Sequence, residues 1–122
     1  VFLKEVPDPQ RFGVAEMQGD KVVSVVEKPK DPTSNLAITG CYVYDNRCFD
    51  VIKTLKPSGR DELEITDVTK WYLEQGELNA TVLSDEWIDA GTFESLHKAS
   101  SLVRERKLKI LKEKVEQTAQ QV

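Results

Sequence analysis

The chain has 122 residues, with 17 Lys and Arg against 21 Asp and Glu, which gives a formal net charge of −4 at neutral pH. Hydrophobic residues make up 39% of it and charged residues 31%, a balance typical of a globular domain and unlike that of disordered or collagen-like chains. No apolar run approaches the roughly 20 residues of a membrane span, and an acidic chain lacks the basic surface of a dedicated nucleic-acid binder. The composition therefore predicts one soluble domain whose partner is neither a membrane nor a nucleic acid.

The two cysteines, Cys41 and Cys48, are too few for a disulfide framework and lack the spacing of a CxxC metal motif. Each lies among apolar residues, so both are predicted to be buried free thiols. Reduced thiols fit a cytoplasmic protein, because the cytosol keeps thiols reduced.

Three β-prone segments open the chain. The first begins at Val1 with no initiator Met, which predicts a strand already in progress within a longer protein. Residues 13–17 and 21–26 are joined by the short loop 18–20, which contains a glycine and is typical of a β-hairpin. Residues 37–44 are mostly apolar and predict a strand in the interior of a sheet.

Helical spacing of apolar residues predicts a first helix over 48–55 and a second from about residue 66 to the glycine at 76. Thr92 can cap a third helix. Between the second and third helices, alternation over residues 78–82 predicts a half-buried strand. Strands and helices are therefore mixed, and the antiparallel hairpin predicts an α/β fold with a mixed β-sheet and packed helices.

Four short segments, residues 11–14, 27–29, 60–67 and 87–92, carry more glycine and charge than folding alone requires. A glycine that opens a strand often marks a close approach by a ligand, and an acid next to a base can face a ligand that carries hydroxyls and phosphate. An arginine before a helix can clamp a phosphate, and an acid in a tight turn is a candidate Mg²⁺ ligand.

Each of these segments also has an ordinary structural interpretation. Gly13 can simply form a turn, and Glu27 and Lys28 can be solvated surface charges. Residues 60–67 can start a helix, and Asp89 can be an Asx-turn residue. Taken singly, none of the four segments identifies a function.

In this order, the segments RFGVAE, VEKP, SNLAITGCYVYD, LKPSGRDELEITDVTKWYLEQGEL and WIDAGTFESL resemble the C-terminal half of bacterial and archaeal sugar-phosphate nucleotidylyltransferases. The resemblance covers residues 1–103, and it is strongest to the thymidylyl-transferring branch. It implies the C-terminal part of a nucleotidyltransferase-type, Rossmann-like fold. It also implies a cytoplasmic, homo-oligomeric, Mg²⁺-dependent enzyme that couples glucose 1-phosphate with dTTP to give dTDP-glucose and pyrophosphate, for nucleotide-sugar and polysaccharide biosynthesis.

The resemblance implies which residues surround the sugar. Gly13 matches a glycine whose backbone contacts the sugar, and Glu27 matches the acid that binds its hydroxyls. Ile38 occupies a position that lines the sugar pocket, and Trp87 matches an aromatic residue near the sugar.

The resemblance also implies the residues that act on the phosphate and the metal. Lys28 and Arg60 match the two bases that hold the sugar phosphate, and both are assigned to the catalytic set. Asp89 matches one of two acids that bind Mg²⁺.

The chain departs from the family pattern in four respects. Phe12 stands where the family more often has Tyr, and Asp61 replaces the usual Gly. The N-terminal, nucleotide-binding half of the family is expected to be missing, since no Gly-rich GGxGTRL-type loop is found, so the nucleoside triphosphate would bind through that half and this chain alone would be inactive. Residues 104–122 match poorly and are predicted to form a charged C-terminal helix or tail.

Two other functions remain open. A chain that has kept the sugar-phosphate pocket without turnover would be a non-catalytic binding or assembly module. A relative that transfers a uridylyl or adenylyl group is the other alternative, because the residues that choose the base are not among these segments.

Overall fold

The computed structural model describes the backbone of residues 1–119 and the side chains of residues 1–113. The chain divides into two compact units, Val1–Glu86 and Trp87–Val122, and each is described by itself. The first unit contains all the strands and two α-helices of the described residues, and the second contains one long helix.

The first unit is built on a mixed five-stranded sheet, which confirms the predicted α/β fold. The strand order is β3-β2-β4-β1-β5. Neighbouring strands are antiparallel except for β1 and β5, which run parallel. The strands are β1 (Phe2–Glu5), β2 (Gly13–Gln18), β3 (Lys21–Glu27), β4 (Leu36–Ile38) and β5 (Thr81–Val82).

The predicted hairpin is formed by β2 and β3. Gly19 has a φ of +59°, the left-handed conformation that a tight hairpin turn needs and that glycine adopts without steric cost. The register pairs Gln18 with Lys21 beside the turn and Gly13 with Glu27 at the open end. The hairpin therefore brings together two of the residues that the sequence singled out.

Two apolar clusters stabilise the first unit. One lies on the sheet and contains Leu3, Ala15, Val22, Val25 and Ile38. The other lies between the first two helices and contains Cys48, Val51, Val68 and Tyr72. Leu78 packs against both clusters and so connects the sheet to the helices.

The helices follow the predicted order. They are α1 (Cys48–Thr54), α2 (Ile65–Glu74) and α3 (Phe93–Ala119), and a short 3-10 turn covers Pro9–Arg11. Beyond α2, Gly76 has a φ of +72°, as expected for the glycine that ends a helix. α3 begins after Thr92, whose hydroxyl accepts a hydrogen bond from the Ser95 backbone N–H at 3.1 Å. The predicted Thr92 cap is therefore confirmed.

α3 runs without interruption through positions 103 and 104. It thus includes the segment predicted to be a charged C-terminal helix, as far as Ala119, while residues 120–122 lie outside the described part of the chain. The division of function at residue 103 stays a prediction.

The strand predicted over 37–44 is wrong beyond Ile38. Thr39 still donates hydrogen bonds from its backbone N–H and its hydroxyl to the Phe2 carbonyl, at 2.9 and 3.0 Å. A tight turn closed between Cys41 N–H and the Thr39 carbonyl then takes the chain out of the sheet. As a result Cys41 is exposed, so its predicted burial is wrong, whereas Cys48 is a buried free thiol as predicted.

The strand predicted over 78–82 is also shorter in the structure. Leu78 and Ala80 pack against the sheet core as half-buried residues, but only Thr81–Val82 forms strand β5. Val82 is exposed, contrary to the predicted alternation.

Candidate functional site

The open end of the β2–β3 hairpin carries Gly13, Glu27 and Lys28. Gly13 and Glu27 are paired across the two strands, and the Lys28 backbone N–H donates to the Phe12 carbonyl at 3.0 Å. Lys28 has a φ of +40°, a left-handed conformation that is rare for a residue with a Cβ. Such a conformation persists only where the surrounding structure holds it, and strained residues of this kind cluster at functional sites.

Gly13 lies at the centre of a close contact between the hairpin, β4 and α2. A Cβ atom placed on Gly13 would lie 3.1 Å from the Thr66 Oγ1, 3.2 Å from the Glu27 Oε2 and 3.5 Å from the Ile38 Cδ1. The first two distances are shorter than ordinary contacts of a Cβ, so a side chain here would force its neighbours to move. The structure therefore brings Gly13, Glu27 and Ile38 together and adds Thr66, which the sequence interpretation had treated only as the start of a helix.

Thr66 fixes the carboxylate of Glu27. It lies in the first turn of α2 with only 2% of its surface exposed, and its hydroxyl donates a hydrogen bond to the Glu27 Oε2. Because the Glu27 side chain keeps about a fifth of its surface exposed, one oxygen is held by the protein while the group still reaches solvent. A half-buried, oriented carboxylate is suited to accept hydrogen bonds from the hydroxyls of a ligand.

Arg60 extends the site on the N-terminal side of α2. Its Nε and Nη2 donate to the Glu64 carboxylate at 2.9–3.1 Å, and Nη2 also donates to Glu62 at 2.7 Å. The same Nη2 lies 3.8 Å from the Glu27 Oε1, which places the guanidinium beside the open end of the hairpin. The structure therefore brings Arg60 to the group formed by Gly13, Glu27 and Thr66.

Glu64 is the anchor of this arginine. Its carboxylate accepts from the Ser58 hydroxyl at 2.8 Å, and this hydrogen bond, followed by those from Arg60, holds the Glu64 pKa below its usual range against the opposing effect of burial. The positive charge of Lys28 acts in the same direction. In turn, the hydrogen bonds to Glu64 raise the pKa of the Arg60 guanidinium. Glu64 and Arg60 therefore stay charged at neutral pH.

Tyr42 is a second residue that the sequence interpretation missed. Burial, followed by the coulombic effects of the neighbouring Tyr44 phenol and of the Glu27 carboxylate, raises the Tyr42 pKa to about 12, so its hydroxyl stays protonated at neutral pH. Its ring stacks on that of Tyr44 at 5.7 Å between centroids, and the Tyr44 hydroxyl shares a 2.6 Å hydrogen bond with Thr69 of α2. No sequence signal assigned Tyr42 to the site, because the segment was predicted to be an ordinary buried strand.

The other two predicted site residues belong to the second unit. Trp87 is half-buried, and Asp89 is exposed in the turn before α3. The Asp89 carboxylate oxygens lie 3.5 Å from the position that a Cβ on Gly91 would take. Among the described residues, no group of three or more His, Cys, Asp or Glu side chains could hold a metal ion. An exposed carboxylate is of the oxygen-donor type that Mg²⁺ uses together with waters and phosphate, and the role of Asp89 as a metal ligand stays a prediction.

A cavity of about 340 Å³ in the first unit lies apart from these residues. Its polar lining includes Asp45, Arg47, Tyr72 and Glu77, and it contains none of the predicted site residues. Arg47 donates to Asp45 through Nε and Nη2 and also pairs with Glu77, so its charge is neutralised within the cluster.

The backbone of the Arg60 loop explains one departure from the family pattern. Asp61 has a φ of +59°, so it adopts the left-handed conformation that glycine adopts most readily. Aspartate is among the few other residues that tolerate it. Aspartate can therefore keep the turn that the glycine expected from the family resemblance would form.

We expect Asp61→Gly to raise the free energy of unfolding by about 0.5 kcal/mol, since relief of the left-handed strain exceeds the extra entropy of glycine in the unfolded chain. Asp61→Ala is the matched control, because it removes the same charge but keeps a Cβ, and it should lower stability. Urea unfolding of the three proteins measures both effects. Equal shifts for the two variants would show that charge, and not the backbone, decides the outcome.

Residues 1–106 match the model of the nucleotidyl transferase family, and the chain belongs to that family. It is 49% identical over 107 residues to a glucose-1-phosphate thymidylyltransferase of Neisseria meningitidis, covering 85% of this chain and 37% of the relative. It is 43% identical over 110 residues to the low-salt glycan biosynthesis nucleotidyltransferase Agl11 of Haloferax volcanii, covering 88% of this chain and 30% of the relative. The chain thus spans well under half the length of these relatives.

The fold agrees with a solved structure. A crystal structure of a Bacillus anthracis protein named as a glucose-1-phosphate thymidylyltransferase, in complex with a sucrose, superposes with a TM-score of 0.76 at 51% identity. The match covers 84% of this chain and 42% of that one. No helix among the described residues has the length and apolar character needed to cross a membrane.

Proposed function

We propose that this chain is the sugar-phosphate-binding part of a nucleotidyl transferase that couples glucose 1-phosphate with dTTP to give dTDP-glucose and pyrophosphate. The observation that supports it most is the convergence of Gly13, Glu27, Thr66 and Arg60, because it combines an oriented carboxylate, a glycine packed closely against it and a guanidinium held beside it. The names of the Neisseria and Bacillus relatives support the choice of glucose 1-phosphate and of the thymidylyl group. That the enzyme is a homo-oligomer of the cytoplasm is proposed from the family resemblance alone.

In this proposal the first unit binds the sugar with one set of residues and the phosphate with another. Glu27 accepts hydrogen bonds from sugar hydroxyls, while the backbone of Gly13 contacts the sugar and Ile38 provides an apolar wall. Lys28 holds the phosphate through the charge of its ammonium group, and Arg60 holds it through the N–H groups of its planar guanidinium. The role of Trp87 near the sugar stays a prediction from the family resemblance.

The chemistry is an in-line displacement, in which an oxygen of the sugar phosphate attacks the α-phosphorus of dTTP and pyrophosphate leaves. Such a transfer needs little covalent participation by the protein, so rate acceleration comes from positioning and from stabilising charge. Lys28 and Arg60 would keep the attacking phosphate in place. When bound, Mg²⁺ supplies charge neutralisation for the phosphates, and Asp89 is the residue proposed to hold it.

Calorimetric titration of the chain with glucose 1-phosphate tests the sugar-phosphate assignment. Glucose 1-phosphate should bind at least tenfold more tightly than methyl glucoside, because hydrogen bonds between the phosphate and the two bases contribute only to the former. Glucose 6-phosphate serves as the control for charge alone and should bind more weakly than glucose 1-phosphate. Equal affinities for the three ligands would contradict the proposal.

Mn²⁺, used as a paramagnetic substitute for Mg²⁺, tests the role of Asp89. The backbone NMR signals of Gly91 and Thr92 should broaden at low Mn²⁺ concentrations, and Asp89→Asn should remove the effect, because Asn lacks the charge that attracts a hard cation. Asp85→Asn is the matched control, as it removes an exposed acid from the preceding segment. If Asp89→Asn leaves the broadening unchanged, Asp89 is a turn residue only.

A further inference from the structure

Two carboxylates contact the same nitrogen of Arg60 from very different environments. The Nη2 atom lies 2.7 Å from Glu62 and 2.9 Å from Glu64. The Glu62 side chain is 63% exposed, whereas that of Glu64 is 9% exposed. At almost equal distance from one cation, the two acids therefore differ in how strongly the protein holds them.

Glu64 is held on several sides. Its carboxylate accepts a hydrogen bond from the Ser58 hydroxyl. Glu64 also lines an apolar groove of about 200 Å³ together with Leu55, Ile65 and Val68. Its carboxylate accepts hydrogen bonds from Nε and Nη2, which lie on one edge of the Arg60 guanidinium. No hydrogen bond from Nη1 is found among the described residues, so the N–H groups of Nη1 remain available to a further acceptor.

Glu62 is held at its backbone and, through its carboxylate, by Arg60. Its carbonyl accepts from the Ser58 N–H at 2.8 Å, which closes the loop, while its carboxylate accepts a hydrogen bond only from the Arg60 Nη2 among the described residues. An ion pair this exposed contributes little, because water solvates both partners nearly as well. A phosphate dianion carries more charge than a carboxylate and can replace it on the guanidinium.

We propose that Glu64 is a positioning residue that aims Arg60 at a phosphate, and that Glu62 is a counter-ion that leaves Arg60 when the phosphate binds. The inference rests on the proposed function, since it takes the phosphate of a sugar 1-phosphate as the natural ligand of Arg60. Both carboxylates contact the same guanidinium, but removing the charge of Glu62 and removing the charge of Glu64 should change the affinity for phosphate in opposite directions.

The variants Glu62→Gln and Glu64→Gln form a matched pair. Each removes one negative charge from the neighbourhood of Arg60 without changing the size of the side chain, so a purely electrostatic effect would tighten phosphate binding in both. Only a positioning role makes the Glu64 variant bind more weakly, because the guanidinium loses the hydrogen bonds that orient it.

The experiment titrates the parent chain and both variants with inorganic phosphate and with glucose 1-phosphate, and follows the Arg60 Nε–H signal by NMR. For Glu62→Gln we expect both ligands to bind about threefold more tightly, the scale of an exposed ion pair, with the Nε–H signal retained. For Glu64→Gln we expect both to bind about tenfold more weakly, the scale of hydrogen bonds to a charged group, with the signal lost to solvent exchange. Ser58→Ala keeps the Glu64 charge but loosens its carboxylate, and it should weaken binding to a smaller extent.

Thermal unfolding of each variant confirms that it is folded before it is titrated. If Glu62→Gln and Glu64→Gln change phosphate affinity in the same direction, the separate roles are wrong. If the parent binds inorganic phosphate and glucose 1-phosphate equally well, the sugar assignment fails, while the opposite effects of the two variants on inorganic phosphate still support the roles of Glu62 and Glu64. If the parent binds neither ligand, both proposals fail.

Discussion

Replacing Arg60 with methionine is expected to weaken glucose 1-phosphate binding by about a hundredfold, since a bidentate, charge-assisted contact with the phosphate is lost. It would also leave Glu27, Glu62 and Glu64 close together with no cation between them. Calorimetric titration of the variant measures the change directly.

Arg47→Met provides the matched control for this variant. Arg47 also lies between two carboxylates, those of Asp45 and Glu77, but outside the proposed site. It should therefore alter stability without altering affinity for glucose 1-phosphate by more than about twofold. An Arg60→Met protein that binds as tightly as the parent would remove Arg60 from the phosphate site.

The stability of Arg60→Met should depend on pH in a defined direction. The Glu64 pKa is lowered in the folded protein, by Ser58 first and then by Arg60, from an ordinary value of 4.5. A depressed carboxyl pKa stabilises the fold above the unfolded value, and this contribution is lost as pH falls through the folded value. The stability difference between the parent and the variant should therefore be larger at pH 7 than at pH 3, as urea unfolding at the two pH values would show.

Glu27→Ala is expected to weaken glucose 1-phosphate binding by roughly 1.5–3 kcal/mol, the scale of hydrogen bonds to a charged group. It should also reduce the preference for glucose 1-phosphate over a deoxy analogue, because no carboxylate then remains unpaired when the hydroxyl is missing. The variant leaves the buried Thr66 hydroxyl without its acceptor, so some loss of stability accompanies the loss of binding.

Lys28→Met is the companion variant to Glu27→Ala. It removes the adjacent charge but keeps a long side chain at the left-handed position. Binding of glucose 1-phosphate and of the deoxy analogue should fall by the same factor, since the lysine acts on the phosphate that both ligands share. If both variants keep the selectivity of the parent and lose less than about twofold in affinity, an effect below about 0.5 kcal/mol, Glu27 and Lys28 are surface charges only.

The sequence predicts the contacts of this site between residues that are close in the chain, but not the contacts between distant elements. The hairpin follows from β-prone segments around a short glycine-containing loop, and once it is formed Gly13 must lie near Glu27. The glycine that ends α2 is likewise a local signal, as is the threonine that caps α3. These features depend on residues a few positions apart, which is the distance over which sequence patterns are informative.

The contacts that the sequence did not predict join distant elements. Thr66 reaches Glu27 only because α2 packs on the hairpin, and nothing in the ELEITD segment distinguishes a buried hydroxyl that holds a carboxylate from one that merely starts a helix. Tyr42 was placed in a strand because its neighbours are apolar, and the turn at Gly40 that moves it out of the sheet has no strong signal in one sequence. Tertiary packing, which one sequence does not reveal, determines both the contact of Thr66 with Glu27 and the location of Tyr42 outside the sheet.

Thr66 and Glu27 are 39 positions apart, and their hydrogen bond is made between a helix and the end of a strand. Closing a chain segment of that length has an entropic cost that is recovered only when α2 and the hairpin are docked together. The site therefore exists only in the docked state, and a ligand that bridges Glu27 and Arg60 would bind that state alone. Occupancy would thus slow the amide hydrogen exchange of α2 and of β3 together, as one cooperative unit, and not that of the loop residues one by one.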